Sequence, residues 1–206
     1  MSPRVLAGLV AGFLLVGTDG SGPRTVAAQE GTVPVSVQIP ILIKILNFDR
    51  NLQGRADGRL VVGVVYQGRY RTSANVADEV CRSLQELSPS ALGALEALER
   101  SCVAIDLDAT SSLDSVLRRR RVQVLYVSPL RAFPLADVMA VSRAAGITTV
   151  TGVPRYVETG LAIGVDMKGD RPEILINLTA SRAEGADLAA HLLKLARLVG
   201  DEAGGR

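Results

Sequence analysis

The sequence predicts an α/β domain: a three-layer, Rossmann-like arrangement with a mostly parallel sheet, an antiparallel C-terminal hairpin, and helices on both faces. Three observations lead there. Continuous apolar runs of strand length recur along the chain, LVVGVVY at 60–66, CVAIDL at 102–107, VQVLYV at 122–127 and ITTVTGV at 147–153. Strands buried on both faces of a parallel sheet read this way. Segments of helical periodicity separate these runs, and such alternation calls for parallel crossovers. Two further strand-like runs, at 161–167 and 173–178, are joined only by Lys168-Gly-Asp-Arg-Pro172. That link is too short for a crossover and favours a hairpin.

The elements follow in order. Residues 34–52 place Val37, Ile39, Ile41, Leu42, Ile43, Ile45, Leu46 and Phe48 on more than one helical face, interrupted by Lys44. A helix with its regular part after Pro40 is favoured, because proline suits a first turn better than an interior. The β-branched content leaves a strand as the alternative. A helix apolar almost all round must be buried in the core or against another chain. Ile41, Ile45 and Phe48 are therefore a candidate partner or dimer face, with core packing as the competing role.

The polar link 53–58 leads into the first strand. Residues 73–87 set Val76, Val80, Cys81, Leu84 and Leu87 at helical spacing. Ser88-Pro89-Ser90 ends that helix, and 91–100 reads as a second short one. After the strand 102–107 come a helix at 111–121 with Ser or Thr at its start and the strand 122–127. A helix at 134–145 follows, with Pro in its first turn and Gly146 past its end. The strand 147–153 precedes the hairpin. A final helix is expected over 181–199, where Ser181 and Glu184 have the spacing of a capping box.

Residues 1–28 read as a secretory signal. Arg4 supplies the positive start, and the apolar run at 5–16 is too short to span a bilayer as a helix. Val26 and Ala28 suit cleavage before Gln29; an uncleaved membrane anchor is the alternative. The expected organisation is a signal at 1–28, one α/β domain at 29–199 and a disordered tail at 200–206.

Composition narrows the chemistry. One His, no Trp, two Cys and three Phe with four Tyr are all the chain holds. That excludes a zinc site built on several histidines, a Cys-rich cluster, and an aromatic platform for single-stranded nucleic acid. A net charge of +2 gives no electrostatic reason for a nucleic-acid partner. No G-x-G-x-x-G follows the first strand and no G-x-S-x-G occurs. No catalytic residue, cofactor or metal is assigned, and the reading is a non-enzymatic binding or regulatory protein.

The remaining candidates are few. Ligands of open α/β sheets sit beyond the carboxyl ends of the strands, which here carry Tyr66, Gln67, Ser128 and Gly152. Cys81 and Cys102 form either a disulfide or two separate buried thiols, and an even count in a secreted chain favours the bridge. Asp106, Asp108 and Asp114 surround a strand-to-helix turn, where helix capping outranks a Mg²⁺ site. The four arginines at 118–121 fan around a helix end and suit its dipole; contact with acidic lipid is the weaker reading. His191 reads as an ordinary helix residue. Asn177-Leu-Thr179 matches a glycosylation sequon.

Several segments, taken in order, resemble the YfiR/HmsC-like family of bacterial periplasmic proteins. They are Lys44-Ile-Leu-Asn-Phe-Asp-Arg50 at the end of the apolar helix, Val62-Gly-Val-Val-Tyr66 followed by Ser73, and Val124-Leu-Tyr-Val-Ser128. The most specific is Glu173-Ile-Leu-Ile-Asn-Leu178 with Ala180 and Ser181, leading to Leu192-Leu-Lys-Leu-Ala196. The resemblance spans roughly residues 35–199. It implies a periplasmic α/β regulator without enzymatic activity that binds the periplasmic part of a membrane signalling protein. In the family that protein is a diguanylate cyclase, through which cyclic-di-GMP and biofilm formation are controlled; related chains are associated with sensor kinases. The resemblance also implies dimerisation, an outer-membrane partner and disulfide-assisted folding. The chain departs from the family in having one Cys pair where founding members have two. It also carries Asp49-Arg50-Asn51 after the first helix and Thr151-Gly152 in place of a Gly-Gly. The alternative function is a periplasmic small-molecule binding protein resembling half of a solute-binding protein.

Overall fold

The four apolar runs form four adjacent strands, from one edge inward, of a seven-stranded sheet in a computed structural model that describes residues 33–131 and 133–200. The secretory signal expected at 1–28, and residues 201–206 of the tail expected at 200–206, lie outside the described residues. The strands are β1 (Arg59–Tyr66), β2 (Glu99–Asp106), β3 (Val124–Val127), β4 (Thr148–Thr151), β5 (Ile163–Lys168), β6 (Arg171–Asn177) and β7 (Arg197–Val199). Their order is β2-β1-β3-β4-β5-β6-β7. Every neighbouring pair is parallel except β5–β6, the antiparallel hairpin, in which Val165 faces Ile174. From β1 the chain steps to β2 on one side and then to β3 on the other. The carboxyl ends of β1 and β3 thus flank the point where open α/β sheets hold ligands.

The helices are α1 (Val35–Leu46), α2 (Leu52–Ala56), α3 (Arg71–Glu86), α4 (Pro89–Leu92), α5 (Leu113–Arg120), α6 (Leu135–Ala145), α7 (Pro154–Thr159), α8 (Leu178–Ala183) and α9 (Ala190–Leu193). Successive strand residues point to opposite faces, and the core divides accordingly. Leu60, Val62 and Val64 face α1, α3, α8 and the Leu192 region. Val61 and Val65 face α5 and α6 through Leu117 and Val138. Val64 and Val65 are both wholly buried, which stabilises by roughly 1.5–3 kcal/mol for each such side chain.

Four local expectations change. Helix α1 runs from Val35 straight through Pro40. The carbonyl that the missing proline N–H leaves free belongs to Ser36, an exposed first-turn residue that water can serve. This helix stops at Leu46, and residues 52–56 make the separate helix α2. The helix expected over 91–100 is only α4 and one 3-10 turn, Gly93–Leu95. Glu99 already belongs to β2, its N–H donating to the Gly58 carbonyl at 3.0 Å. Helix α7 fills a stretch for which the sequence suggested no element.

The largest correction concerns residues 181–199. In place of one helix there are the end of α8, a link, α9, and a seventh strand parallel to β6. Helix α8 starts earlier, capped by Asn177 Oδ1, which accepts from the Ala180 N–H at 2.9 Å. Ser181 therefore sits inside the helix and donates back to the Asn177 carbonyl at 2.8 Å. Glu184 turns into the core, and Gly185 adopts a φ of +80°, which ends the helix and suits glycine.

Candidate functional site

At the carboxyl ends of β1, β3 and β4 the structure gathers the four residues expected there, and it adds a fifth. Gln38 of α1, itself buried, reaches over the strand ends. Its Oε1 accepts a hydrogen bond from the Tyr126 hydroxyl at 2.7 Å, and its amide donates to the Val33 carbonyl. Burial holds the Tyr126 phenol well above its usual range, so it stays a donor. Gly152 lies directly under this amide, so closely that a Cβ there would overlap the Gln38 side chain. The mouth at β4 is thus filled by the chain's own helix.

Toward β1 the mouth is more polar. Gln67 Oε1 accepts from the Arg131 N–H at 2.7 Å, and the Arg131 guanidinium stacks 4.3 Å from the Tyr70 ring centre. Tyr66 is part-exposed, and its phenol is shifted upward by burial and by the nearby carboxylates of Asp106 and Asp78. Ser128 is fully buried, and its Oγ has no partner among the described residues. Asp106 and Asp108 are occupied by backbone: Asp106 Oδ1 accepts from Gly68 and Asp108 N–H groups at 2.9 Å each. Asp108 accepts from the Arg69 N–H at 2.9 Å. Asp114 pairs with Arg118 at 2.7 Å, one turn along α5. These carboxylates brace loops and a helix.

The three apolar residues of α1 part company. Ile45 is only 1% exposed and packs in the core. Ile41 is half-buried against the same cluster. Phe48 is 36% exposed and meets the His191 ring edge-on, with centres 4.5 Å apart. Val37, Ile41 and Lys44 recur at helical spacing on one outward face of α1, and Phe48 lies in the turn just past its end.

Cys81 of α3 and Cys102 of β2 form a disulfide with Cα atoms 5.5 Å apart. It fastens the first crossover helix to an edge strand.

A second polar constellation, at the amino ends of the strands, escaped the sequence reading. Asp49, with a fully buried side chain, takes the Arg55 Nη2 at 2.6 Å and the N–H groups of Asn51 and Asp187 at 3.0 and 2.9 Å. Arg55 also donates to the carbonyls of Gly146 and Glu184 and to Thr148 Oγ1. Glu184 accepts from the Thr149 N–H at 2.7 Å and its hydroxyl at 2.9 Å. Burial pushes the Glu184 carboxyl up to about 7, against the lowering effect of the Thr149 hydrogen bonds. The signal that could have found these residues was the presence of charged side chains inside apolar surroundings, but their partners lie far away in sequence.

With this geometry in view, the comparisons with known proteins are informative. The family model for YfiR/HmsC-like proteins matches residues 77–197, more than half of the chain. The chain belongs to the YfiR/HmsC-like family. That family is one of periplasmic regulators, regulatory and not catalytic in character. No curated protein matches the chain. Among solved structures, the fold is similar to the ABC domain in complex with L-Trp from Streptococcus pneumonia, with a TM-score of 0.55 and 13% identity over 81% of this chain and 62% of that one. It is also similar to a conserved domain protein from Vibrio cholerae, with a TM-score of 0.51 and 12% identity over 79% of this chain and 60% of that one. The chain spans less than two thirds of the length of either. These likenesses establish the α/β fold. No helix among the described residues is long and apolar enough to cross a membrane.

Proposed function

We propose that this YfiR/HmsC-like chain is a periplasmic, non-enzymatic regulator that binds and controls a membrane signalling protein, a diguanylate cyclase or a sensor kinase. Family membership carries the reading. The closure of the strand ends by Gln38, Tyr126 and Gly152 supports it, because a side chain of the chain itself occupies the place where an open α/β lobe would receive a solute at β4. What remains for recognition is surface. Val37 on α1 and Phe48 in the turn after it, 38% and 36% exposed, offer apolar contact, Phe48 beside His191. Control would then be a matter of populations: a partner that binds one conformation better shifts the balance toward it.

One observation favours a second reading, a small-molecule binding protein. The buried Ser128 Oγ, unpartnered among the described residues, lies at the switch point, where the Ser128 N–H donates to the Val65 carbonyl at 3.1 Å. Capture from detergent-solubilised envelope, with the tagged full chain as bait, separates the two. The regulatory reading expects a membrane signalling protein with a periplasmic part, lost on Phe48→Asp. Recovery of a tightly bound metabolite and no membrane protein would overturn it.

A further inference from the structure

The free edge of β2 carries features that neither the strand-end mouth nor the α1 face uses. Among the described residues, β2 is the last strand of the sheet and pairs only with β1. The N–H groups of Glu99 and Leu107 point toward β1, donating to the carbonyls of Gly58 and Tyr66 at 3.0 and 2.8 Å. Backbone groups alternate between the two sides of a strand. The amides and carbonyls of Arg100, Cys102 and Ala104 therefore point outward, a template for another strand.

Each face of this edge has its own cavity, and the two differ in chemistry. On the α5 side a groove of about 1160 Å³ is lined by Ser101, Val103, Arg59, Arg119, Arg120 and Arg121. Arg59 is paired with Glu99, whereas Arg119, Arg120 and Arg121 are exposed and make no ion pair among the described residues. On the α3 side a smaller cavity of about 230 Å³ is lined chiefly by Ile43, Leu60, Val62 and Leu84 beside Cys102, with Gln85 and Arg100 also in its wall. Arginines outnumber the carboxylates of Asp57 and Glu99 in the first lining, and apolar side chains dominate the second, so one face favours carboxylates and the other apolar side chains.

We infer that the β2 edge docks an extended segment of a partner protein in which acidic and apolar residues alternate. An added strand sends successive side chains to opposite faces. Such a segment would lay its carboxylates on the arginines while its apolar residues enter the cavity at Leu60 and Leu84. Main-chain hydrogen bonds to the outward groups of β2 supply affinity, and the two unlike cavities supply specificity. A second copy of this chain fits poorly. Its own β2 alternates Glu99, Ser101 and Val103 with Arg100, Cys102 and Ala104, and edge-to-edge pairing would gather two arginine clusters on one face. The inference stands apart from the proposed regulatory role, since it names a surface and the chemistry that fits it.

The test uses the oxidised full chain and two capped peptides of identical composition, one alternating Glu and Val, the other with Glu and Val in separate blocks. The alternating peptide is expected to saturate and to shift the backbone amides of Arg100, Cys102 and Ala104 in NMR spectra. The block peptide, and the alternating peptide against Arg119→Gln/Arg120→Gln/Arg121→Gln, should each bind about tenfold more weakly. Ala104→Pro removes an outward N–H and should abolish binding; the arginine variant, altered only at the surface, keeps the test valid if the proline disturbs the strand. Equal binding of both peptides, no saturable binding, or binding only to phosphatidylglycerol vesicles would overturn the inference. So would sedimentation of the chain as a dimer that the proline variant dissolves.

Discussion

The Glu184 carboxylate is held inside the protein by Thr149, which offers it both its N–H at 2.7 Å and its hydroxyl at 2.9 Å. The Thr149 hydroxyl in turn accepts from the Ala162 N–H at 2.8 Å, so this contact stitches α8 to β4 and to the entry of β5. Glu184 has no exposed surface.

Stability should therefore fall as pH rises through neutrality. The folded Glu184 titrates near 7, above its ordinary 4.5. Between these values the folded state binds more protons than the unfolded one, so raising the pH favours unfolding. The contribution is at most about 3 kcal/mol, present in full below the ordinary value and lost as pH climbs through 7. Urea unfolding at pH 5 and pH 8 measures it. Glu184→Gln, which keeps an acceptor for the Thr149 N–H, should flatten that dependence; an unchanged slope would contradict the assignment.

Asp49→Ala should cost about 3 kcal/mol, because it strands the Arg55 guanidinium and two N–H groups that Asp49 now serves. Adding Arg55→Ala should then cost little more, since both residues belong to one network. Urea midpoints of the two single variants and the double variant give the coupling directly.

Reduction, or Cys81→Ser/Cys102→Ser, should lower stability by about 3 kcal/mol, the chain-entropy value for a loop of this length. Because β2 is an edge strand, the loss should concentrate there. Hydrogen exchange of β2 amides, compared with those of β3, would show it.

Gly152→Ala should destabilise by roughly 1–3 kcal/mol through overlap with the Gln38 side chain. Gln38→Ala in the same chain should restore part of that loss, because the space the new methyl needs is then open. A double-mutant cycle by chemical denaturation reads the coupling, and strict additivity would mean that the two do not compete for one space.

Much of the fold was legible because it rests on local pattern. A continuous apolar run such as 60–66 suits a sheet covered on both faces, and β1 is buried as that requires; the run at 102–107 also forms a strand, but as the edge strand β2 it stays largely part-exposed, because only β1 flanks it. The hairpin was legible for the same kind of reason: the link between β5 and β6 is too short for anything else. The site was legible only as a location. Tyr66, Gln67, Ser128 and Gly152 do meet at the strand ends, but nothing local to Gln38, 88 residues before Tyr126, reveals that its amide fills the mouth.

The sequence by itself determined the α/β alternation, the hairpin, and the availability of two cysteines for a bridge. These follow from the period of apolar residues and from chain connectivity. Only the tertiary structure decided the rest. Residues 181–199 have a helical stripe, yet they become α8, α9 and β7 because Glu184 finds Thr149, Gly185 turns left-handed, and β6 offers a free edge. Ile45 and Phe48 lie three residues apart on one apolar segment, and one is core while the other is surface. Burial and hydrogen-bond partners are properties of distant neighbours, which spacing along a chain does not contain.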